Sequence, residues 1–284
     1  MEAAEKAVVF GKPEFWPKVI ERHGPFLEKV PALERAVSSI VDPAHKEVDY
    51  QQHLLMMLLQ LVAIGMNEVV TLVANGMGHG AMKIVRGMVE NAINAEYIRR
   101  FPEEGEKYRE WHWIELHKQM NRVSATSPGL VMEISEAKRT EIETEYQRVK
   151  GLFQYKVANK DGSERTVHQE SWCRENLFER AEKINALDTY ITVMPFANQI
   201  LHGTIGGWLA EIDPSDMRIE YPPTERWGSE SLIAAHAALI QAIETASKSL
   251  KILPEPSIAE LEEDFNAIWH MFPTPGEPEA PGAS

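Results

Sequence analysis

The sequence contains very little cysteine and, for its size, few basic residues. Cys173 is the only cysteine among the 284 residues, which excludes an intrachain disulfide framework and a zinc site built from cysteines alone. The scarcity of cysteine predicts a cytoplasmic location. The 29 Lys and Arg residues are outnumbered by 43 Asp and Glu residues, so that the net charge is −14. Because non-specific nucleic-acid binding needs a surplus of cations to displace phosphate counterions, this acidic balance argues against broad nucleic-acid binding.

Several motifs that would identify an enzyme or a metalloprotein are also missing. His-Glu-x-x-His, Gly-x-Ser-x-Gly and a Gly-x-Gly-x-x-Gly fingerprint after a strand do not occur in the chain. Cys173 stands beside Trp172 with no obvious base, so we do not expect a cysteine nucleophile. The sequence therefore predicts no metal site and no cofactor, and it leaves open whether the protein is an enzyme.

The most apolar stretch, residues 54–74, is about long enough to cross a bilayer. It contains Gln60, Asn67, Glu68 and Thr71, and an unpaired carboxylate at mid-bilayer depth would cost several kcal/mol. We therefore predict a buried bundle helix rather than a membrane span. The first residues show no basic region followed by an apolar run, so we expect neither a secretory signal nor membrane association.

Apolar residues recur at three- and four-residue steps through most of the chain, a spacing typical of amphipathic helices. The sequence predicts an all-α fold, namely a single bundle of six to eight helices with at most a small β-hairpin near residues 154–168. The hairpin is expected because residues 159–163 form a turn between two short β-prone segments. Asp42 and Pro43 are typical of a helix start, so we expect the long apolar helix to begin there.

Composition divides the chain into three parts. Residues 1–42 contain scattered prolines and predict an N-terminal segment of short helices and turns that wraps a core, while residues 43–251 form the helical-bundle domain. Residues 252–284 contain seven acidic residues and no Lys or Arg. We expect this last part to be an acidic, proline-rich tail, disordered from about residue 273, because it cannot bury enough apolar surface to offset its ordering entropy.

Arg86 and Glu90 lie four residues apart on a predicted apolar helix and therefore share one helix face. A guanidinium group among apolar residues needs a partner, and the Glu90 carboxylate is the nearest one. The pair has two interpretations: a structural ion pair that orients helices, or the charged floor of a ligand pocket.

A second polar pair, Asn198 and His202, has the same spacing on a later helix. Histidine is either a hydrogen-bonded core residue here or a general acid or base. Since one shared network satisfies buried polar groups better than two separate ones, we predict that Arg86, Glu90 and His202 converge in one partly buried site. These three residues are the candidate catalytic residues, and Asn198 and Tyr97 are the candidate binding residues.

Several motifs follow one another along the chain in a characteristic order: Arg86-x-x-x-Glu90, Asn94–Ile98, Tyr108–Trp111, Trp172, Tyr190 and Asn198-x-x-x-His202-Gly203. This order resembles a bacterial family called domain of unknown function 5677. The similarity covers roughly residues 50–245 and implies a helical fold, but almost nothing about activity.

A more distant similarity is to the HEPN superfamily of helical ribonucleases, whose signature is an arginine, a polar residue, three further residues and a histidine. Asn198 and His202 keep the second half of this signature, whereas Ala197 stands in place of the arginine. Arg86 could supply the missing charge from another helix. The resemblance implies a metal-independent ribonuclease in which His202 activates the ribose 2′-hydroxyl and Arg86 stabilises the phosphorane.

Three functions follow as hypotheses from these observations. The first is a helical-bundle binding or regulatory protein of unknown ligand, with bacterial stress or defence as its setting. The alternatives are the HEPN-like ribonuclease and a small-molecule enzyme or sensor that uses a polar bundle core. The acidic balance argues against the ribonuclease unless a homodimer concentrates Arg and Lys in a cleft. The partner is an unknown ligand or protein, and a homodimer stays open.

Overall fold

Helical spacing of apolar residues accounts for most of the architecture. The computed structural model describes residues 11–42, 48–126, 134–160, 162–202 and 224–269. The described helices and strands, in chain order, are α1 (Trp16–Leu27), α2 (Val30–Val41), α3 (Tyr50–Ala74), α4 (Gly78–Arg100), α5 (Pro102–Thr126), α6 (Glu136–Val149), β1 (Gln154–Ala158), β2 (Glu164–His168), α7 (Leu177–Lys183), α8 (Leu187–Leu201), α9 (Gly228–Leu250) and α10 (Ile258–Trp269). A short 3-10 helix, Lys150–Phe153, precedes β1.

The prediction of a mostly helical fold with one small hairpin is confirmed. Strands β1 and β2 pair antiparallel, with Gln154 opposite His168 and Ala158 opposite Glu164. The predicted number of six to eight helices is wrong, since the described residues form ten α-helices. Two of the additional helices are α1 and α2, which begin with Pro17 and Pro31 in their first turns, where the missing N–H group costs nothing.

The chain divides into two compact units, whereas we expected a single bundle. Unit 1 comprises Met1–Glu96 and Ile184–Ser284, and unit 2 comprises Tyr97–Lys183. Each unit has its own buried apolar residues.

In unit 1, helix α3 packs against α1, α2 and α9. Its buried side includes Leu55, Leu58 and Val62. A Cβ atom at Gly65 would lie 2.6 Å from the Cγ atom of Met88, so glycine at this position allows α4 to approach closely. Among the described residues, α3 is the one helix that is long and apolar enough to span a membrane, and 39% of its most apolar 18-residue stretch is buried.

The start of α3 differs from the expected one. The helix begins at Tyr50, and the Asp49 side chain caps it by accepting a hydrogen bond from the Gln52 backbone N–H at 2.8 Å. The Gln52 side chain in turn accepts from the Asp49 N–H at 3.0 Å, which completes a capping box. Asp42, the expected cap, instead follows the last residue of α2, and residues 43–47 lie outside the described part of the chain.

Helix α10 belongs to the region that composition assigned to the acidic tail. Glu260, Glu262 and Glu263 are exposed, while Leu261, Ile268 and Trp269 are buried and the helix packs against α9. Helical spacing of a few apolar residues therefore outweighs the acidic composition of this segment. The predicted disorder from residue 273 lies outside the described residues.

Unit 2 is built on the pairing of α5 with α6 and the β-hairpin that follows. Ile114, Val149 and Phe153 form its apolar cluster. Next to this cluster the buried carboxylate of Glu110 accepts a hydrogen bond from Arg109 Nε at 2.7 Å and pairs with Arg148. The two guanidinium groups keep the buried charge compensated, as burial of a carboxylate requires.

Candidate functional site

Helix α4 presents Arg86 and Glu90 on one face, as their spacing predicts. The Arg86 NH1 atom lies 3.1 Å from Glu90 Oε2, and the two side chains keep 29% and 34% of their surface exposed. The neighbouring residues Val85, Met88 and Val89 are buried, so that the apolar side of α4 holds the ion pair at the edge of the core.

Asn198 reaches the same ion pair from α8. The Nε atom of Arg86 donates a hydrogen bond to Asn198 Oδ1 at 2.7 Å, although the two residues are 112 positions apart. Helix α8 buries Ala197 and Ile200, which orients Asn198 toward the boundary between core and solvent. The structure thus brings three of the predicted residues together, and we call Arg86, Glu90 and Asn198 the Arg86 cluster.

His202 does not join this cluster in the way we expected. It caps the C-terminus of α8, where its backbone N–H donates to the Asn198 carbonyl at 2.9 Å, and its side chain is exposed rather than partly buried. Within the described part of the chain, its imidazole forms no hydrogen bond or ion pair with Arg86 or Glu90. The reason is local: α8 ends at Leu201, so the histidine stands on the last turn, one turn beyond Asn198. The residues from 203 to 223 lie outside the described part.

Tyr97 also has a different environment from the expected one. It belongs to unit 2, whereas Arg86, Glu90 and Asn198 belong to unit 1. Its buried ring packs against Phe101 and Trp172, with ring centroids 4.7 Å and 6.0 Å away. Burial, together with the nearby Glu175 carboxylate, raises the pKa of the Tyr97 hydroxyl.

Asn94 is a polar residue of α4 whose importance the sequence analysis missed. It is buried, follows Glu90 by four residues, and its Oδ1 atom has no hydrogen-bond partner among the described residues. The repeated four-residue spacing of Arg86, Glu90 and Asn94 was the signal that could have identified it. A buried acceptor without a donor costs free energy, which makes Asn94 an unusual residue of this helix.

The chemistry available at the Arg86 cluster is recognition of a small polar group. Arg86 uses its Nε and NH1 atoms in the two described hydrogen bonds, and a guanidinium group carries five N–H donors in all. The remaining donors suit a carboxylate or a phosphate, which arginine binds through two parallel hydrogen bonds. Among the described residues, no three His, Cys, Asp or Glu side chains are grouped so that they could hold a metal ion.

Unit 2 contains a second unusual charged residue, Arg180. Its neighbours in the sequence are largely charged, so the sequence did not indicate that this side chain is buried. Its side chain is buried, and its guanidinium carbon lies 4.8 Å from the centroid of the Trp172 ring. The Nε and NH1 atoms have no hydrogen-bond partner among the described residues. Cys173, in the same cluster, is buried and donates to the Glu175 carbonyl, and burial raises the pKa of its thiol to about 11. A thiol with this pKa stays protonated at neutral pH, as expected for a cysteine that is not a nucleophile.

We expect Arg180→Met to leave the free energy of unfolding unchanged or to raise it by up to about 1 kcal/mol. The substitution removes a buried charge whose Nε and Nη1 atoms have no acceptor among the described residues, which favours folding. It also removes the cation–π contact with Trp172, which contributes about 0.5–2 kcal/mol, so the two effects nearly cancel. Urea unfolding of unmodified protein and variant measures the difference. Arg148→Met is the control, and it should destabilise the protein because the buried Glu110 loses a partner. Clear destabilisation by Arg180→Met would contradict the prediction.

Comparison with known proteins identifies the group to which the chain is related. The model of the Family of unknown function (DUF5677) matches residues 52–217, which include the whole Arg86 cluster. No curated protein and no solved structure matches the chain. The comparisons lend no support to the more distant HEPN resemblance, which stays a hypothesis. Because the match covers more than half of the sequence, the resemblance found in the sequence is confirmed, and the chain belongs to the DUF5677 family.

Proposed function

We propose that this protein is a helical-bundle binding or regulatory protein that recognises a small anionic ligand through the Arg86 cluster. The observation that supports this proposal most directly is the 2.7 Å hydrogen bond from Arg86 to Asn198, which joins two motifs that are far apart in the sequence. It orients a partly exposed guanidinium group and leaves further donors on the same group for a ligand.

A purely structural ion pair explains the arrangement less well. The partial exposure of Arg86 and Glu90 means that water can solvate both charges, and ion pairs of this kind contribute roughly 0–1 kcal/mol to stability. Apolar residues of similar volume often replace even a buried ion pair with no loss of stability. The cluster is therefore better explained by ligand recognition than by the stability of the fold.

Thermal unfolding in the presence of small anions tests the proposal. We expect inorganic phosphate, acetate or adenosine monophosphate, each in large excess over its dissociation constant, to raise the Tm by about 2 °C or more. The double variant Arg86→Met/Glu90→Leu should fold and lose this increase in Tm, because it lacks the guanidinium group proposed to bind the anion.

The matched control removes another pair with four-residue spacing. Glu244→Leu/Lys248→Met deletes an ion pair of α9 whose atoms are 2.6 Å apart, and it should keep the ligand-dependent increase. If none of the three anions raises the Tm of the unmodified protein, or if the Arg86→Met/Glu90→Leu variant responds as strongly, the proposed function is wrong.

One observation favours the ribonuclease as a second candidate. The exposed His202 side chain stands one helical turn beyond Asn198, which is itself bonded to Arg86, so that an imidazole and a guanidinium group occupy the same end of α8. In this hypothesis His202 takes the proton of the ribose 2′-hydroxyl and Arg86 stabilises the phosphorane. Cleavage of single-stranded RNA in the presence of EDTA, with loss of cleavage in His202→Ala, would support it, and intact RNA would exclude it.

We further propose a cytoplasmic location, supported by the single, buried cysteine, and a bundle role for α3 without membrane insertion, supported by the one carboxylate of that helix. Cell fractionation tests both proposals. The protein should appear in the soluble fraction, and recovery in the membrane fraction after a high-salt wash would contradict them.

A further inference from the structure

The outward side of α3 has a nearly uncharged surface. Its three central apolar side chains, Met57, Leu61 and Ile64, keep 48%, 49% and 56% of their surface exposed. Although 25% of the residues in the whole chain are charged, Glu68 is the only Asp, Glu, Lys or Arg residue in α3. We name this surface the α3 face, a stripe of exposed residues at three- and four-residue spacing: Tyr50, His53, Met57, Leu61, Ile64, Glu68 and Thr71.

Depletion of charge on an exposed apolar surface is characteristic of the centre of protein interfaces. We propose that the α3 face is the contact surface of a homodimer in which two α3 helices pack antiparallel about a two-fold axis near Gln60 and Leu61. This inference is independent of the ligand site at Arg86.

The spacing of the stripe is self-complementary, as a two-fold interface requires. With the axis near Leu61, Met57 lies opposite the partner's Ile64 and Ile64 lies opposite the partner's Met57. The apolar residues therefore meet one another at the centre, and the polar residues of the stripe meet at both ends. Antiparallel helices with interdigitating side chains pack at a small crossing angle, which keeps the whole stripe in contact.

Charge selects the antiparallel arrangement over the parallel one. In the antiparallel dimer, the imidazole of His53 lies opposite the partner's Glu68, and this pairing occurs twice because of the symmetry. A parallel dimer would instead place Glu68 beside the partner's Glu68. Because like charges in contact at an interface are unfavourable, the Glu68–Glu68 contact disfavours the parallel dimer, and we expect the two helices to run antiparallel.

A groove next to the stripe offers space for a side chain of the second subunit. It has an open volume of about 550 Å³ and is lined by Ile64, Asn67, Glu68, Thr71, Leu72 and Ile84. In the antiparallel register, the partner's Met57 lies over the end of this groove at Ile64. The unbranched thioether side chain of methionine adapts well to irregular apolar surfaces of this kind.

The size of the α3 face predicts a weak dimer. Helix α3 has 25 residues, which gives a length of about 37 Å. Three half-exposed apolar side chains bury less than the roughly 800 Å² per subunit of a standard stable interface. We therefore expect a monomer–dimer equilibrium with a dissociation constant of about 1–100 µM.

Sedimentation velocity of the full chain over a concentration series tests the dimer. Leu61→Glu should weaken self-association at least tenfold, because it places two carboxylates next to the two-fold axis. Leu253→Glu is the matched control, since Leu253 is 90% exposed and lies outside the α3 face, and it should leave self-association unchanged. A protein that stays monomeric at several times the upper value of about 100 µM, or equal effects of the two variants, would overturn the proposal.

Cysteine cross-linking tests the register. Met57→Cys/Ile64→Cys should form a covalent dimer under mild oxidation, whereas neither single variant should. A disulfide within one chain is excluded, because seven residues of helix separate the two positions by about 10.5 Å and a disulfide requires Cα atoms within about 7 Å. The buried Cys173 does not compete. Cross-linking of either single variant would indicate a parallel dimer and overturn the antiparallel register.

Discussion

Gly78→Ala is expected to lower the free energy of unfolding by about 3 kcal/mol, because the added methyl group would overlap with backbone atoms. A Cβ atom at Gly78 would lie 2.1 Å from the Arg226 carbonyl oxygen and 2.7 Å from the Gly228 backbone nitrogen. Both contacts are with backbone atoms, which cannot rotate away as the end of a side chain can. Urea unfolding followed by circular dichroism measures the loss.

The turn that Gly78 contacts explains why the clash cannot be relieved. Thr224 N–H donates to the Gly76 carbonyl at 3.0 Å, and the Ser231 hydroxyl donates to the Gly78 carbonyl at 3.3 Å. These bonds hold the start of α4 directly against the start of α9. Movement of either segment to accommodate a methyl group would therefore break hydrogen bonds on both sides of Gly78.

Gly87→Ala is the matched control on the same helix, and its expected effect has the opposite sign. Apart from the adjoining backbone of α4 itself, a Cβ atom at Gly87 would have no described atom within 4 Å. Alanine is favoured over glycine inside a helix by about 0.5–1 kcal/mol, so this variant should be slightly more stable than the unmodified protein. Equal destabilisation by both substitutions would show that the helix tolerates neither, and that the contact of Gly78 with Arg226 and Gly228 is not the cause.

Acidification is expected to cause the second large effect, a loss of about 2 kcal/mol for each of two buried histidines between pH 7.5 and pH 5. Burial lowers the pKa of His236 from about 6.5 to about 4. Burial and the neighbouring Arg22 lower the pKa of His23 to about 4 as well. The histidines of the unfolded chain take up protons first as the pH falls. The stabilisation is therefore complete above pH 6.5 and is lost progressively toward pH 4.

The structure shows what protonation of His236 would disrupt. Its Nδ1 atom accepts a hydrogen bond from Trp269 Nε1 at 3.1 Å, and its ring packs against Phe26 and Phe265 with centroids 5.3 Å and 5.0 Å away. An added proton on Nδ1 would place two donors against each other and a charge among aromatic rings. The contact between α9 and α10 is thus expected to weaken first at low pH.

His236→Asn separates the contribution of this histidine from that of His23. The asparagine Oδ1 atom can accept the Trp269 hydrogen bond but cannot become protonated, so about half of the pH-dependent loss should disappear. His168→Asn, at an exposed position of the hairpin, should leave the pH dependence unchanged. The comparison requires the free energy of unfolding of each variant at pH 7.5 and pH 5. An unchanged pH dependence in His236→Asn would contradict the assignment.

Features that depend on neighbouring residues were predictable from the sequence. The four-residue spacing of Arg86 and Glu90 placed them on one helix face, and the structure joins them at 3.1 Å. The turn near Gly162 predicted the hairpin, which forms between β1 and β2. Both predictions rest on the periodicity of a regular backbone, and periodicity is present in the sequence itself.

The candidate site was predictable only in part. The sequence predicted that Arg86 and Asn198 belong to one site, and a 2.7 Å hydrogen bond joins them, but the geometry of this contact depends on how α4 and α8 pack. The sequence also could not indicate that α8 ends at Leu201 and leaves His202 exposed, or that Tyr97 would be buried against Trp172. The end of a helix and the neighbour of a buried ring both depend on contacts across the chain.

The sequence by itself determined a helical chain, its single hairpin and the spacing of its polar pairs, since local periodicity and turn residues specify these features. Only the tertiary structure decided which helices met, that ten α-helices formed in the described residues, and that Leu261, Ile268 and Trp269 would pack within an acidic segment. It also left the apolar face of α3 exposed and the guanidinium group of Arg180 buried. The reason is that burial results from contacts between residues far apart in the chain, which a one-dimensional pattern does not contain.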